Sequence, residues 1–102
     1  MRRRRGRRRA LGEPRAVRAH YDRRTGRVVV DRANDCSFVL PARSLQGLAR
    51  ASDAALANVE ILDSGRGLHW PALDVDFTVP GLLMGMFGTR AWMASELARR
   101  AG

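Results

Sequence analysis

The stretch richest in reactive side chains is Gly67-Leu68-His69-Trp70-Pro71-Ala72-Leu73-Asp74-Val75-Asp76, with an imidazole, an indole and two carboxylates close together. Asp74 and Asp76, two apart, would share one side of an extended strand and could hold a cation or a proton between them. A divalent ion, however, wants more ligands than His69, Asp74 and Asp76 supply at this spacing. The structural reading weighs more. In it Trp70 packs under helices, Pro71 turns the chain, and both carboxylates accept hydrogen bonds from loop or helix-start amides.

The remaining reactive residues do not assemble into a catalytic set. His20 and His69 would need to converge with a nucleophile to act as acid–base groups. Ser37, Ser44, Ser52, Ser64 and Ser95 sit in turn or cap contexts, none of them in a nucleophile elbow. Cys36, the only cysteine, excludes an intramolecular disulfide and a cysteine-based zinc site. At a strand start it reads as a small buried hydrophobe. Gly81, Gly85 and Gly88 lie among Leu, Met and Phe, with no basic residue where a phosphate would rest. The expectation is a non-enzymatic protein without catalytic residues, metal or cofactor.

Two features suit partners better than reactions. Arg2, Arg3, Arg4, Arg5, Arg7, Arg8 and Arg9 form a segment that could bind phosphates by counterion release, without sequence preference. No aromatics are interleaved, so base stacking is not indicated. An all-Arg, Lys-free chain equally suggests a GC-rich gene, where a misplaced translation start adds such a leader. Both readings stay open. The other feature is the cluster Met84, Met86, Phe87, Trp92 and Met93. It exceeds what one face of a short helix pair must bury, and Met-rich faces adapt to partners. It serves as core, as a homodimer contact or as a surface for a small protein partner.

The elements that must position these residues follow from size and periodicity. A chain of 102 residues allows one domain with one modest core, and 45% apolar content is ordinary for it. Of the net charge of +9, residues 1–14 carry +6, and they hold almost no apolar side chains. They are expected to form a disordered basic arm, with residues 15–102 as the folded domain. The longest apolar run, Val79 to Phe87, is far short of the roughly 18–20 residues of a membrane span. No apolar stretch follows the basic start as a signal peptide would require. The expected setting is bacterial and cytoplasmic, away from membranes.

Within the domain, Val17, Ala19 and Tyr21 alternate with Arg18 and His20, the pattern of a half-buried strand. Turn residues at Asp22–Gly26 and Ala33–Asp35 separate it from strands at 27–32 and 36–40, an antiparallel meander. Leu45, Leu48 and Ala49 are spaced for a short helix capped by Ser44 and weakened by Gly47. Ser52 caps a further turn through Leu56. Strands at 58–62 and 67–70 follow, split by the turn Asp63–Gly67. Thr78 caps a helix over 80–87 ended by Gly88, and Thr89 caps another over 90–100, where Glu96 and Arg100 form an i,i+4 pair. The expected fold is α+β: one small, mostly antiparallel sheet of about five strands with C-terminal helices.

The segment Gly65 to Asp76 resembles a bacterial family catalogued as domain of unknown function 2442. Its members show Gly-x-Gly-Leu/Ile-His-Trp-Pro-x-Leu-Asp-x-Asp, then Ser/Thr-Val and Gly-Leu-Leu, matched here by Thr78-Val79-Pro80-Gly81-Leu82-Leu83. The resemblance runs over roughly residues 16–94, through Tyr21-Asp22, Thr25-Gly26, the Phe38 strand and the Leu45-to-Ile61 block. It implies a small α+β domain, no assigned catalytic residue, and an antitoxin-like or accessory regulatory role beside a small toxin-like protein. It leaves His69, Trp70, Pro71, Leu73, Asp74 and Asp76 as a structural motif. The arginine arm and the lack of a separate DNA-binding domain set this chain apart from members joined to helix-turn-helix segments.

Overall fold

The computed structural model describes residues 15–101. Six strands form two antiparallel three-stranded sheets rather than one sheet of five. The first holds β1 (Ala16–Asp22), β2 (Arg27–Arg32) and β3 (Ser37–Pro41) in a meander. Its first turn closes as the Gly26 amide donates to the Asp22 carbonyl at 2.8 Å, with Gly26 at φ +74°. The second sheet holds β4 (Glu60–Leu62), β5 (Gly67–Trp70) and β6 (Val75–Thr78). The helices are α1 (Asp53–Ala57), α2 (Val79–Leu83) and α3 (Arg90–Ala101). The class is the expected α+β. No helix among the described residues is long and apolar enough to cross a membrane.

The sixth strand is a four-residue run in which Val75 and Phe77 alternate with Asp76 and Thr78. The two sheets meet where Gly65 packs against the backbone of Ala16. A Cβ on Gly65 would lie 2.4 Å from the Ala16 carbonyl oxygen, and Gly65 sits at φ +96°. This contact keeps the sheets apart as ladders and close in space.

One core lies between the sheets' inner faces and the segments that cover them. Val28, Val30 and Leu40 come from the first sheet and Leu68 and Trp70 from the second. Leu56 of α1 with Val79 and Leu82 of α2 close the core. The alternation in β1 departs from the simple reading. A bulge between Ala16 and Arg18 adds one residue, so Ala16 points inward and Val17 is 59% exposed.

The helix expected at Leu45–Ala49 is absent. A 3₁₀ turn at Ala42–Ser44 leads into further turns, in which Leu45, Leu48 and Ala51 each donate to the carbonyl three residues back. Ala42, Leu45, Leu48 and Ala51 are all buried, a spacing of three rather than 3.6. Gly47 does not weaken a helix there. It takes φ +90°, and the Val75 side chain occupies the space where a Cβ would stand.

The cap assignments hold. Ser52 Oγ accepts from the Ala55 amide at 3.1 Å, Thr78 Oγ1 from Gly81 at 3.0 Å, and Thr89 Oγ1 from Trp92 at 3.1 Å. The helix placed over 80–87 is shorter, ending at Leu83, with Gly85 at φ +82°. Gly88 serves instead as a close approach, because a Cβ there would meet Gln46 and Trp92 at 2.6 Å. In α3, Glu96 pairs with Arg99, one residue nearer than expected.

Candidate functional site

The motif residues prove to be the parts of one hairpin. Leu68 and Trp70 point inward from β5, and His69 therefore points outward. On the outer face His69 is in register with Glu60 of β4 and Asp76 of β6. Its Nδ1 hydrogen-bonds the Asp76 carboxylate across the strands. Trp70 is fully buried, its ring edge-on to Phe77 with centroids 6.4 Å apart. The indole Nε1 donates to the Leu56 carbonyl at 3.0 Å, at the end of α1. Pro71 opens the turn, Leu73 packs half-buried against the core, and Asp74 takes φ +53° before β6.

The two aspartates do not share one side of a strand. Asp74 lies in the turn and Asp76 in β6, and Asp76 bonds an imidazole rather than a backbone amide. Among the described residues no group of three or more His, Cys, Asp or Glu is placed to hold a metal ion. His20 lies on the exposed side of β1, on the other sheet from His69. Cys36 is exposed, not buried. It precedes β3 in a tight turn, where the Asn34 side chain accepts from its amide at 3.3 Å. The arginine segment Arg2 to Arg9 lies outside the described residues.

A polar network that local sequence patterns did not reveal joins β1, the Ala42 turn and α1. The Tyr21 hydroxyl donates to Asp53 Oδ1 at 2.7 Å and accepts from Arg43 Nη1 at 3.2 Å. Arg43 also donates to the Ala51 carbonyl at 2.9 Å and to Asp53 at 3.2 Å. The Tyr21 hydroxyl, and then the Arg43 guanidinium, hold the Asp53 carboxyl below its ordinary value. The bond to Asp53 and partial burial raise the Tyr21 phenol, against an opposing pull from Arg43. The cation and anion neutralise each other, and the groups fasten three segments together.

The C-terminal residues divide by exposure. Met84 and Met86 are 80% and 55% exposed, while Phe87, Trp92 and Met93 are half-buried. Gln46 holds the α2–α3 link: its amide donates to the Phe87 carbonyl at 2.8 Å, and its Oε1 accepts from Thr89 at 2.8 Å. Trp92 and Glu96 turn toward Ser44 and Phe87, lining a cleft of about 120 Å³. The other side of α3 is open. Met86, Gly88, Arg90, Met93, Ala94 and Leu97 line a groove of about 480 Å³. Leu97, which the sequence reading passed over, is 71% exposed. Its signal was the i, i+3, i+4, i+7 spacing of Arg90, Met93, Ala94 and Leu97.

A small α+β module with a hairpin motif at its centre is the class these features define. The chain belongs to the family described as protein of unknown function DUF2442, whose model matches residues 16–88. It is similar to a protein of unknown function from Rhodospirillum rubrum of known crystal structure. Identity is 57%, the TM-score is 0.78, and the match covers 80% of this chain and 99% of that one. It is also similar to an uncharacterised protein from Chromobacterium violaceum solved by solution NMR. There identity is 30% and the TM-score 0.71, over 80% of this chain and 75% of the other. No curated protein matches the chain.

Proposed function

We propose that the chain is a non-enzymatic protein-interaction module with an antitoxin-like regulatory role, and that it docks a small protein through the open face of α3. The observation that carries this reading is the exposed apolar run of Met84, Met86 and Leu97 beside the α3 groove. Contiguous apolar surface of this kind characterises interaction sites more than free monomer surface. The test is co-expression with the product of the adjoining gene, followed by light scattering of the purified material. A stoichiometric complex weakened by Leu97→Asp is expected. No complex, or one indifferent to Leu97→Asp and Met93→Asp together, overturns the reading.

A second reading rests on a separate observation, the seven arginines between Arg2 and Arg9. In it the segment binds nucleic-acid phosphates without sequence preference. Its test is the salt dependence argued in the Discussion.

A further inference from the structure

The charges around the α3 groove say more about what fills it. Arg90, Met93, Ala94 and Leu97 share one face of α3, and Arg100 lies on the flank of the same face near its far end. Glu96, the only acid of α3, is turned to the other side and paired with Arg99. Among the described residues no carboxylate forms an ion pair with Arg90 or Arg100. The face is therefore an apolar strip bracketed by two cations. Its floor is lined by Gly88 and Ala94, whose small side chains let another backbone approach closely. The helix is about 18 Å long, enough for some three turns of a partner helix.

We propose that this groove takes an acidic amphipathic helix of another protein, with apolar residues toward Met93 and Leu97 and carboxylates toward Arg90 and Arg100. The inference rests on the protein-binding reading above and names the chemistry of the partner. A second copy of the chain fits the face poorly. Antiparallel pairing centred near Ala94 and Ser95 sets Arg90 of one copy against Arg100 of the other at both ends. Parallel pairing stacks each arginine on its own equivalent. Like charges facing each other across an interface reject that partner, whereas opposite charges select one.

The probes are two synthetic amphipathic helices with the same leucine face, one flanked by glutamates and the other by lysines. Binding to the full chain is followed by fluorescence anisotropy at low and physiological salt. Saturable binding of the glutamate peptide is expected, with the lysine peptide weaker by about tenfold or more. Leu97→Asp should abolish binding without changing the thermal transition, since Leu97 is 71% exposed. Arg90→Glu with Arg100→Glu should reverse the preference between the peptides, which separates this groove from attraction by the arginine segment. Equal affinities, or glutamate-peptide binding that survives Leu97→Asp, overturn the proposal. So does a dimer in light scattering that Leu97→Asp dissolves, or preferential binding to phosphatidylserine vesicles through the same residues. If the adjoining gene's product binds through Leu97 while the peptides are not discriminated, the acidic-helix inference falls and the protein-binding reading survives. If neither binds, both fall.

Discussion

Trp70 caps α1 from inside the core: its indole Nε1 donates to the carbonyl of Leu56, 14 residues earlier in the chain, at 3.0 Å. The last carbonyls of a helix have no partner within it, and one buried without a partner destabilises the fold. Trp70 fills the core and satisfies that carbonyl with one side chain. Trp70→Ala should lose about 3–5 kcal/mol, as aromatic truncations in cores do. Trp70→Phe separates the two contributions, keeping a ring but stranding the carbonyl, at about 1–3 kcal/mol. Urea unfolding followed by circular dichroism reads both. If the alanine variant keeps near-normal stability, Trp70 is not the core anchor described here.

The junction between the sheets makes a sharper contrast. Gly65 and Gly67 both belong to the family motif, yet they carry different demands. Gly65 holds φ +96° with the Ala16 carbonyl 2.4 Å from where a Cβ would stand. Gly67 has ordinary φ, and its nearest atom to a Cβ, the Phe77 carbonyl oxygen, is at 3.5 Å. Gly65→Ala should cost about 2–5 kcal/mol, combining backbone strain with overpacking. Gly67→Ala should stay within about 0.5 kcal/mol of the parent. Equal losses at the two positions would show that the junction is not the constraint.

The Tyr21–Asp53 bond makes stability depend on pH at both extremes. Asp53 is held below its ordinary value of 3.8 by the Tyr21 hydroxyl first and Arg43 second. Its contribution is therefore present above that value and lost as pH falls through the lower folded-state value. Tyr21 is raised above 10.0, chiefly by donating to Asp53. Its contribution is present below 10.0 and lost as pH rises through the higher folded-state value. Tyr21→Phe should flatten the melting-temperature profile at both ends, and Asp53→Asn mainly at the acid end. A Tyr21→Phe profile parallel to the parent's at both ends would exclude this linkage.

Much of this fold was readable where the signal is local. The Val28-Val29-Val30 strand, the Ser52, Thr78 and Thr89 caps and the burial of Trp70 all follow from neighbours a few residues away. Failures arose where one extra residue or a distant contact decides. A single bulged residue in β1 exchanges the faces of Ala16 and Val17. The spacing of Leu45 and Leu48 fits a helix, and only Ala42 and Ala51 together expose the period of three. Cys36 looks like a strand start, but the ladder begins one residue later and leaves it in the turn. The Tyr21–Asp53 and Gln46–Thr89 bonds span 32 and 43 residues, so no window of sequence contains them. The candidate site was legible only in part. Met86 and Met93 announced themselves by composition, whereas the openness of Leu97 depends on which side of α3 turns toward Ser44.

The arginine segment is open to the most direct test. Deleting residues 1–14 removes almost no apolar side chain, so the thermal transition of the remaining chain should be nearly unchanged. A large loss of stability would mean instead that these residues pack on the domain. If the segment binds nucleic acid, the intact chain should bind duplex DNA of unrelated sequences alike, and the deletion should abolish that binding. Each phosphate neutralised releases counterions, so log affinity should fall with log salt at a slope of about −0.9 per contact. Seven arginines allow a slope as steep as roughly −6. The rest of the chain, residues 15–102, carries only +3 of the total +9, too little to reproduce that steepness. A shallow slope in the intact chain, or equal binding after the deletion, would sink the nucleic-acid reading.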